Sequence, residues 1–291
     1  MTAQGKLLLN EPMSRYTSWR VGGTADRLYL PGGIDDLQAF LQAMPHGEPV
    51  HFVGLGSNLL VRDGGVRGTV VLMHDALTEM RFEGEKVYAE AGVTCAKLAK
   101  FAARQHLHGA EFLAGVPGTV GGALAMNAGC HDGETWDIVE RALTIDRHGQ
   151  IHERSQVDVE VGYRHVGLPG EEWFIAAWFQ LLPGNAQVAE EKIKALLAKR
   201  LETQPLNLPN AGSVFRNPEG GYAAKLIEAC GLKGYRMGGA QVSEKHANFI
   251  VNTGEATADE IEHLIAHVRD TVMRRQGVEL QREVKIIGEA L

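Results

Sequence analysis

Cysteine is scarce in this chain. Its three residues, Cys95, Cys130 and Cys230, stand far apart, and no Cys-x-x-Cys or Cys/His spacing connects them. Neither a disulfide framework nor a zinc site is expected, and reduced thiols in the cytoplasm fit best. Long apolar runs are missing too. Nothing approaches the roughly 20 residues of a membrane-spanning helix, so no membrane insertion is expected. The opening MTAQGKLLLNEPMSRY breaks its short apolar run with polar residues at once, unlike a signal peptide. Basic residues are outnumbered, 29 Lys and Arg against 36 Asp and Glu, for a net charge of −7. That disfavours general nucleic-acid binding but leaves room for a small anion held by local groups. The twelve histidines are scattered, and residues such as His51 or His74 read as structural or surface groups rather than metal ligands.

What remains is ordinary globular material, 44% hydrophobic and 22% charged, long enough for two or three domains. Val50–Gly56, Thr69–Met73 and Lys86–Gly92 read as strands. Cys95–Gly109 reads as a helix with Leu98, Phe101 and Ala102 on one face. RALTIDRHGQIHER is two alternating runs around His148-Gly149, a hairpin pattern. Glu172–Pro183 is a strongly apolar strand. Near Pro183-Gly184 the character changes. Val188–Arg200 reads as an amphipathic helix, then a Pro/Gly/Asn-rich loop opens into another helix, and HANFIVN reads as a strand. Thr257 and Glu260 form a capping box ahead of a helix carrying Ile261, Leu264, Ile265, Val268 and Val272 that stops at Gly277. VELQREVKIIG reads as the last strand. Many strands and few helices, without strict βαβ alternation, predict an α+β protein with a boundary near residue 188.

Two glycine-rich loops stand out. GLGSNLLV (Gly54–Val61) follows a strand directly. AGVPGTVGGALAMNAG (Ala114–Gly129) holds five glycines, one proline and no charge. Bare backbone lets amides approach a phosphate closely, and Ser57, Asn58 and Asn127 add polar side-chain groups. Neither loop has a Walker lysine, and GLGSNL lacks the third glycine of a Rossmann fingerprint. A GxG turn alone is equally a tight turn, yet two uncharged loops in one strand-rich region suit one extended pyrophosphate cofactor. Ser213, in AGSVFRNP, lacks a GxSxG elbow and taken alone reads as a capping serine. Tyr163-Arg164 closes a strand and could be an ordinary surface pair. Glu283 is one of three similarly placed acids with Glu279 and Glu289.

In order, TSWRVGGTAD, GLGSNLLVRDGG, EFLAGVPGTVGGALAMNAG, VGYRH, AGSVFRNP, AAKLIEACGLKG, GGAQVSEKHANFIVN and LQREVKIIGE resemble the UDP-N-acetylenolpyruvoylglucosamine reductase family almost end to end. The resemblance implies a two-lobed FAD-binding domain of the vanillyl-alcohol-oxidase type, residues 1–68 and 69–187, and a C-terminal α+β substrate domain, 188–291, that closes over it. It implies non-covalent FAD, NADPH as hydride donor, and reduction of the enolpyruvyl sugar nucleotide to UDP-N-acetylmuramate by a cytoplasmic monomer.

The implied FAD contacts are Gly54, Gly56, Ser57, Asn58, Leu59, Gly115, Pro117, Gly118, Thr119, Gly121, Gly122, Asn127 and Gly129. The implied catalytic set is Arg164 on the substrate carboxylate, Ser213 as proton donor and Glu283 beside the developing charge. Tyr163, Lys225, Gln241 and Asn248 are the expected substrate contacts; Lys245 is a candidate for the diphosphate beside Lys225, with Arg216 and Arg236 behind them, and Ser243 one for the sugar or uracil. Two departures appear. No insertion with a clamping tyrosine follows Tyr163-Arg164, which marks the shorter variant, and Tyr16 stands where the family usually has Asn. Two other functions remain open at this point: an oxidase of the same superfamily with covalent flavin, and a non-catalytic nucleotide-sugar binder.

Overall fold

The computed structural model describes residues 4–130 and 133–291, and contacts divide the chain into two units. One takes in residues up to Leu8, Leu28–Leu55 and Thr69–Arg200. The other takes in Leu9–Arg27, Gly56–Gly68 and Leu201–Leu291. This division differs from the boundaries expected at 68/69 and 187/188, and packing explains the difference. The helix Ala186–Thr203 buries Ala189 and Ile193 in the core of the first unit, so it ends that unit rather than opening the next. Trp19, Val21 and Leu60 lie in the core built mainly by the C-terminal segment.

In the first unit an antiparallel five-stranded sheet runs in the order Ile151–Ser155, Val139–Asp146, Glu172–Gln180, Lys86–Glu90, Met80–Glu83. The central strand is buried from Phe174 to Phe179. One face carries Ala177 and Phe179 against the helices Cys95–Arg104 and Val120–Met126. The other carries Ala176 and Trp178 beside Tyr88. A strand with both faces covered reads as a continuous apolar run, which EWFIAAWFQ is. The hairpin around His148-Gly149 forms as expected, with Arg141 opposite Ser155 and Ile145 opposite Ile151, and Gly149 supplies a positive φ of 73°. The expected helix to Gly109 stops at Arg104. Leu107–His108 instead pairs with Leu182–Pro183. A parallel pair joins Val50–Val53 to Val66–Leu72, with Val53 opposite Leu72.

The second unit is organised by the helix Ala258–Gln276. Its capping box is complete: Glu260 N donates to Thr257 Oγ1 and Thr257 N to Glu260 Oε2, both at 3.1 Å. Asp63 takes the next two amides, from Ala258 and Asp259. Gly277 ends the helix in the left-handed region. The stripe of Ile261, Leu264, Ile265, Val268 and Val272 packs against Phe215, Ile227 and Ile250. Trp19 is fully buried and donates its indole N–H to the Ile250 carbonyl at 2.7 Å. Among the described residues no helix is long and apolar enough to cross a membrane.

Candidate active site

The Gly-rich stretch folds as a 3-10 turn, Glu111–Gly115, then a helix, Val120–Met126, that ends on Asn127 in the left-handed region. Straps to the 91–95 segment hold it. Cys95 N donates to Gly118 O, Val120 N to Val93 O and Gly121 N to Ala91 O, all within 2.9 Å. The glycines serve two ends. A Cβ on Gly121 would stand 2.9 Å from the Ala91 Cβ, and one on Gly129 2.4 Å from the Gly133 carbonyl, so these two are bare because the chain packs on itself. A Cβ on Gly122 would meet only Thr119 Oγ1, at an ordinary 3.8 Å.

Gly54 is different. A Cβ there would come 2.3 Å from Thr119 Oγ1, so at this point the two glycine loops touch. Thr119 is 1% exposed, and its hydroxyl has no hydrogen-bond partner among the described residues. A buried hydroxyl left so costs about 1–3 kcal/mol, which a cofactor acceptor placed there would offset. Gly115 is buried, Gly118 half-buried and Pro117 exposed at the rim.

Arg164 sits in the turn between the short strands Glu160–Gly162 and His165–Gly167, with φ at +55°. Its guanidinium donates to the carbonyls of Asn127 (3.3 Å) and Gly129 (2.7 Å), so the end of the bare loop grips it. Four residues separate this hairpin from the strand Glu172–Gln180, which leaves the insertion no room. Tyr163 is exposed beneath the guanidinium, 4.9 Å from ring centre to Cζ. Cys130, next to Gly129, donates its thiol to the Phe112 carbonyl. Burial pushes that thiol up against the pull of Arg200 and Arg164, which keeps it neutral.

In the second unit Glu283 N donates to the Val214 carbonyl at 2.8 Å and Arg216 N to the Gln281 carbonyl at 2.9 Å. Ser213 and Glu283, 70 residues apart in number, thus flank one antiparallel rung, each half-buried and each followed by a buried valine. Asn58 secures the same segment. Its amide donates to Glu283 O, its carbonyl accepts from Lys285 N, and Leu59–Val61 runs parallel to Lys285–Ile287. The half of the first loop holding Gly56, Ser57, Asn58 and Leu59 is therefore built onto the Glu283 strand.

Two of the expected contact residues are held by the protein itself. Asn127 was expected at the cofactor, but its amide donates to Glu134 Oε2 and Gly162 O and accepts from Trp136 N. Asn248 was expected at the substrate, but it pairs with both the N–H and the carbonyl of Phe215. An amide that makes three or two such bonds while 2–4% exposed is a backbone clamp. Gln241 joins Gln204, Asn207, Ser243, Glu244 and Lys245 around a cavity of about 490 Å³ in this unit. Its amide also reaches Gly234 O and Arg236. Lys225 is exposed, its ammonium 5.1 Å from the Tyr222 ring centre, and Lys245 donates to the Leu201 carbonyl. Glu134, which no motif singled out, lies 3.7 Å from Arg164.

Glycine-lined segments meeting at an unsatisfied hydroxyl on an α+β frame suit a protein that holds a dinucleotide cofactor, and the FAD binding domain family matches residues 25–155. Residues 204–287 match the UDP-N-acetylenolpyruvoylglucosamine reductase C-terminal domain. The enzyme of that name from Alkalilimnicola ehrlichii is 59% identical over 286 residues, covering 98% of this chain and 96% of the relative. The one from Nitrosospira multiformis is 57% identical over 310 residues, covering 98% and 89%. The crystal structure of the Thermus caldophilus enzyme aligns with a TM-score of 0.83 at 31% identity, covering 97% of this chain and 98% of that one. The chain belongs to the UDP-N-acetylenolpyruvoylglucosamine reductase family and is a flavin-dependent oxidoreductase.

Proposed function

We propose that this protein reduces UDP-N-acetylenolpyruvoylglucosamine to UDP-N-acetylmuramate for peptidoglycan synthesis, with NADPH as hydride source, acting as a cytoplasmic monomer. When bound, FAD supplies the carrier that accepts hydride from NADPH and gives it to the terminal vinyl carbon of the substrate. Thr119, Gly54 and Gly122 hold and admit the cofactor, with the Gly56–Leu59 segment as its further contact.

Hydride arriving at the vinyl group drives negative charge onto the substrate carboxylate. Arg164 provides a cationic fork that matches a carboxylate. Glu283 provides a hydrogen bond to the developing charge when protonated. The Ser213 hydroxyl gives its proton to the carbon next to the carboxylate and regains one from solvent or a neighbour. Gln241 and the cavity around it suit the polar nucleotide part of the substrate, and Tyr163 and Lys225 stand as further contacts.

The observation that carries this assignment is the shared rung at Val214 and Glu283, inside the region matched by the reductase C-terminal domain. The test is anaerobic. NADPH should bleach the flavin band, and the enolpyruvyl sugar should restore it. Ser213→Ala should still bleach but form no product. Arg164→Ala should lose roughly 10²–10³-fold in turnover with flavin retained. Normal product formation by the serine variant would refute the proton-donor role.

A further inference from the structure

Arg164 is held by more than the two carbonyls. Glu134 Oε1 stands 3.7 Å from its Nη1, beyond hydrogen-bond reach but close for two charges. The other oxygen, Oε2, accepts Asn127 Nδ2 at 2.8 Å, and Asn127 is the residue whose carbonyl Arg164 grips. Glu134 is itself pinned. Its amide donates to Asp137 Oδ2 at 2.9 Å, and its side chain accepts the Asp137 amide in return. Asn127 closes the assembly through Trp136 N and Gly162 O. Gly162 lies two residues before the arginine, so the ring joins the bare loop, the Thr135–Asp137 turn and the hairpin.

The hydrogen bonds from Asn127 and the Asp137 amide account for an acceptor at this position but not for its charge beside Arg164. The Glu134 side chain is 38% exposed, and an ion pair in that setting adds little to folding. We propose that Glu134 is a positioning residue for Arg164: its charge fixes the direction of the guanidinium fork and tempers its field, while Asn127 ties both to the end of the glycine loop. The proposal rests on Arg164 receiving the substrate carboxylate.

Opposite signs follow for binding and turnover. Without the neighbouring anion, Arg164 attracts a carboxylate at least as strongly. Without that anion to direct it, the fork is also less well aimed, and small errors of aim are expensive in rate. Glu134→Gln keeps an acceptor for Asn127 and removes only the charge. Its kcat should fall about tenfold while KM for UDP-N-acetylenolpyruvoylglucosamine stays level or drops up to about threefold. Flavin bleaching by NADPH should stay within about twofold, since that step does not involve the substrate carboxylate. Equilibrium titration of the oxidised holoenzyme with the same sugar nucleotide, read as a perturbation of the flavin band, should give an equal or tighter Kd.

Asp137→Ala is the structural comparison: it removes the cap that pins Glu134, so Tm and kcat should fall together, whereas Glu134→Gln should lose kcat with Tm unchanged. Wild-type kcat in Glu134→Gln would overturn the proposal. So would a loss of kcat accompanied by the weakened flavin retention and lowered Tm of a loosened turn. Normal turnover by Arg164→Ala would instead overturn the assignment of the carboxylate to Arg164, a separate outcome.

Discussion

Thr119→Val separates cofactor binding from folding by the sign of its two effects. Thr119 occupies the N-cap position of the helix Val120–Met126, yet its side chain makes no cap hydrogen bond, and its extended backbone (φ −100°, ψ 163°) suits a β-branched residue. Valine therefore keeps shape and conformation and changes only a buried hydroxyl, unpartnered among the described residues, into a methyl. In the cofactor-free protein the substitution removes a penalty of about 1–3 kcal/mol. At about 2–4 °C per kcal/mol for a chain of this order of size, the midpoint should rise by several degrees. With FAD present the same hydroxyl is the group that finds an acceptor. Its loss should weaken FAD affinity by a similar free energy, roughly 5- to 150-fold at tenfold per 1.4 kcal/mol. Thermal melts of stripped protein with and without added FAD, and titration of flavin fluorescence, measure both. A stripped valine variant that melts lower than wild type and binds FAD equally well would show that the hydroxyl has a partner inside the protein and that the cradle argument is wrong.

The contact between the loops gives a second test. Gly54→Ala puts a Cβ 2.3 Å from Thr119 Oγ1 but 3.4 Å from its Cβ, so it should cost about 1–3 kcal/mol alone. Much of that should be recovered with Thr119→Ala, and strictly additive losses in a double-mutant cycle of unfolding free energies would show that the two sites do not touch. Acid should expose Glu111, 3% exposed ahead of the bare loop. Burial works to raise its pKa, but its own and the Gly109 amides, His108 and Lys192 outweigh burial and hold it below the usual range. A depressed carboxylate pKa stabilises the fold above the unfolded value near 4.3 and ceases to do so as pH falls through the folded value. The Tm deficit of Glu111→Gln should be full at pH 6–7 and shrink as pH falls below the unfolded value; a deficit constant with pH would remove the charge from the account.

Local signals read from the chain where local physics decided the outcome. Thr257, Glu260 and Gly277 bound a helix whose ends and face were all visible, because capping and periodicity act within a few residues. The turn at Gly149 was visible for the same reason. HANFIVN was expected as one strand, yet only Ile250–Asn252 pairs. Ser243 Oγ accepts the amides of Lys245 and His246 and turns the chain just before it. VELQREVKIIG shrinks to Lys285–Ile287 because the Arg216 and Glu283 bonds draw the preceding residues to another segment.

The site divides along the same line. Bare glycines could be found from composition, since a charge-free, side-chain-poor stretch is rare locally, whereas Thr119 came only from the resemblance. The internal hydrogen bonds of Asn127 and Asn248 could not be foreseen, because an amide serves a phosphate, a sugar or a distant carbonyl with the same donors. Their partners, at Gly162 and at Phe215, lie 35 and 33 residues away. Glu134 was invisible for a related reason: an acid near a turn is common, and its importance comes only from standing beside Arg164, thirty positions on. Residues that touch a ligand leave a composition, whereas residues that aim them leave only a distance, and a distance across the fold is what a single sequence does not encode locally.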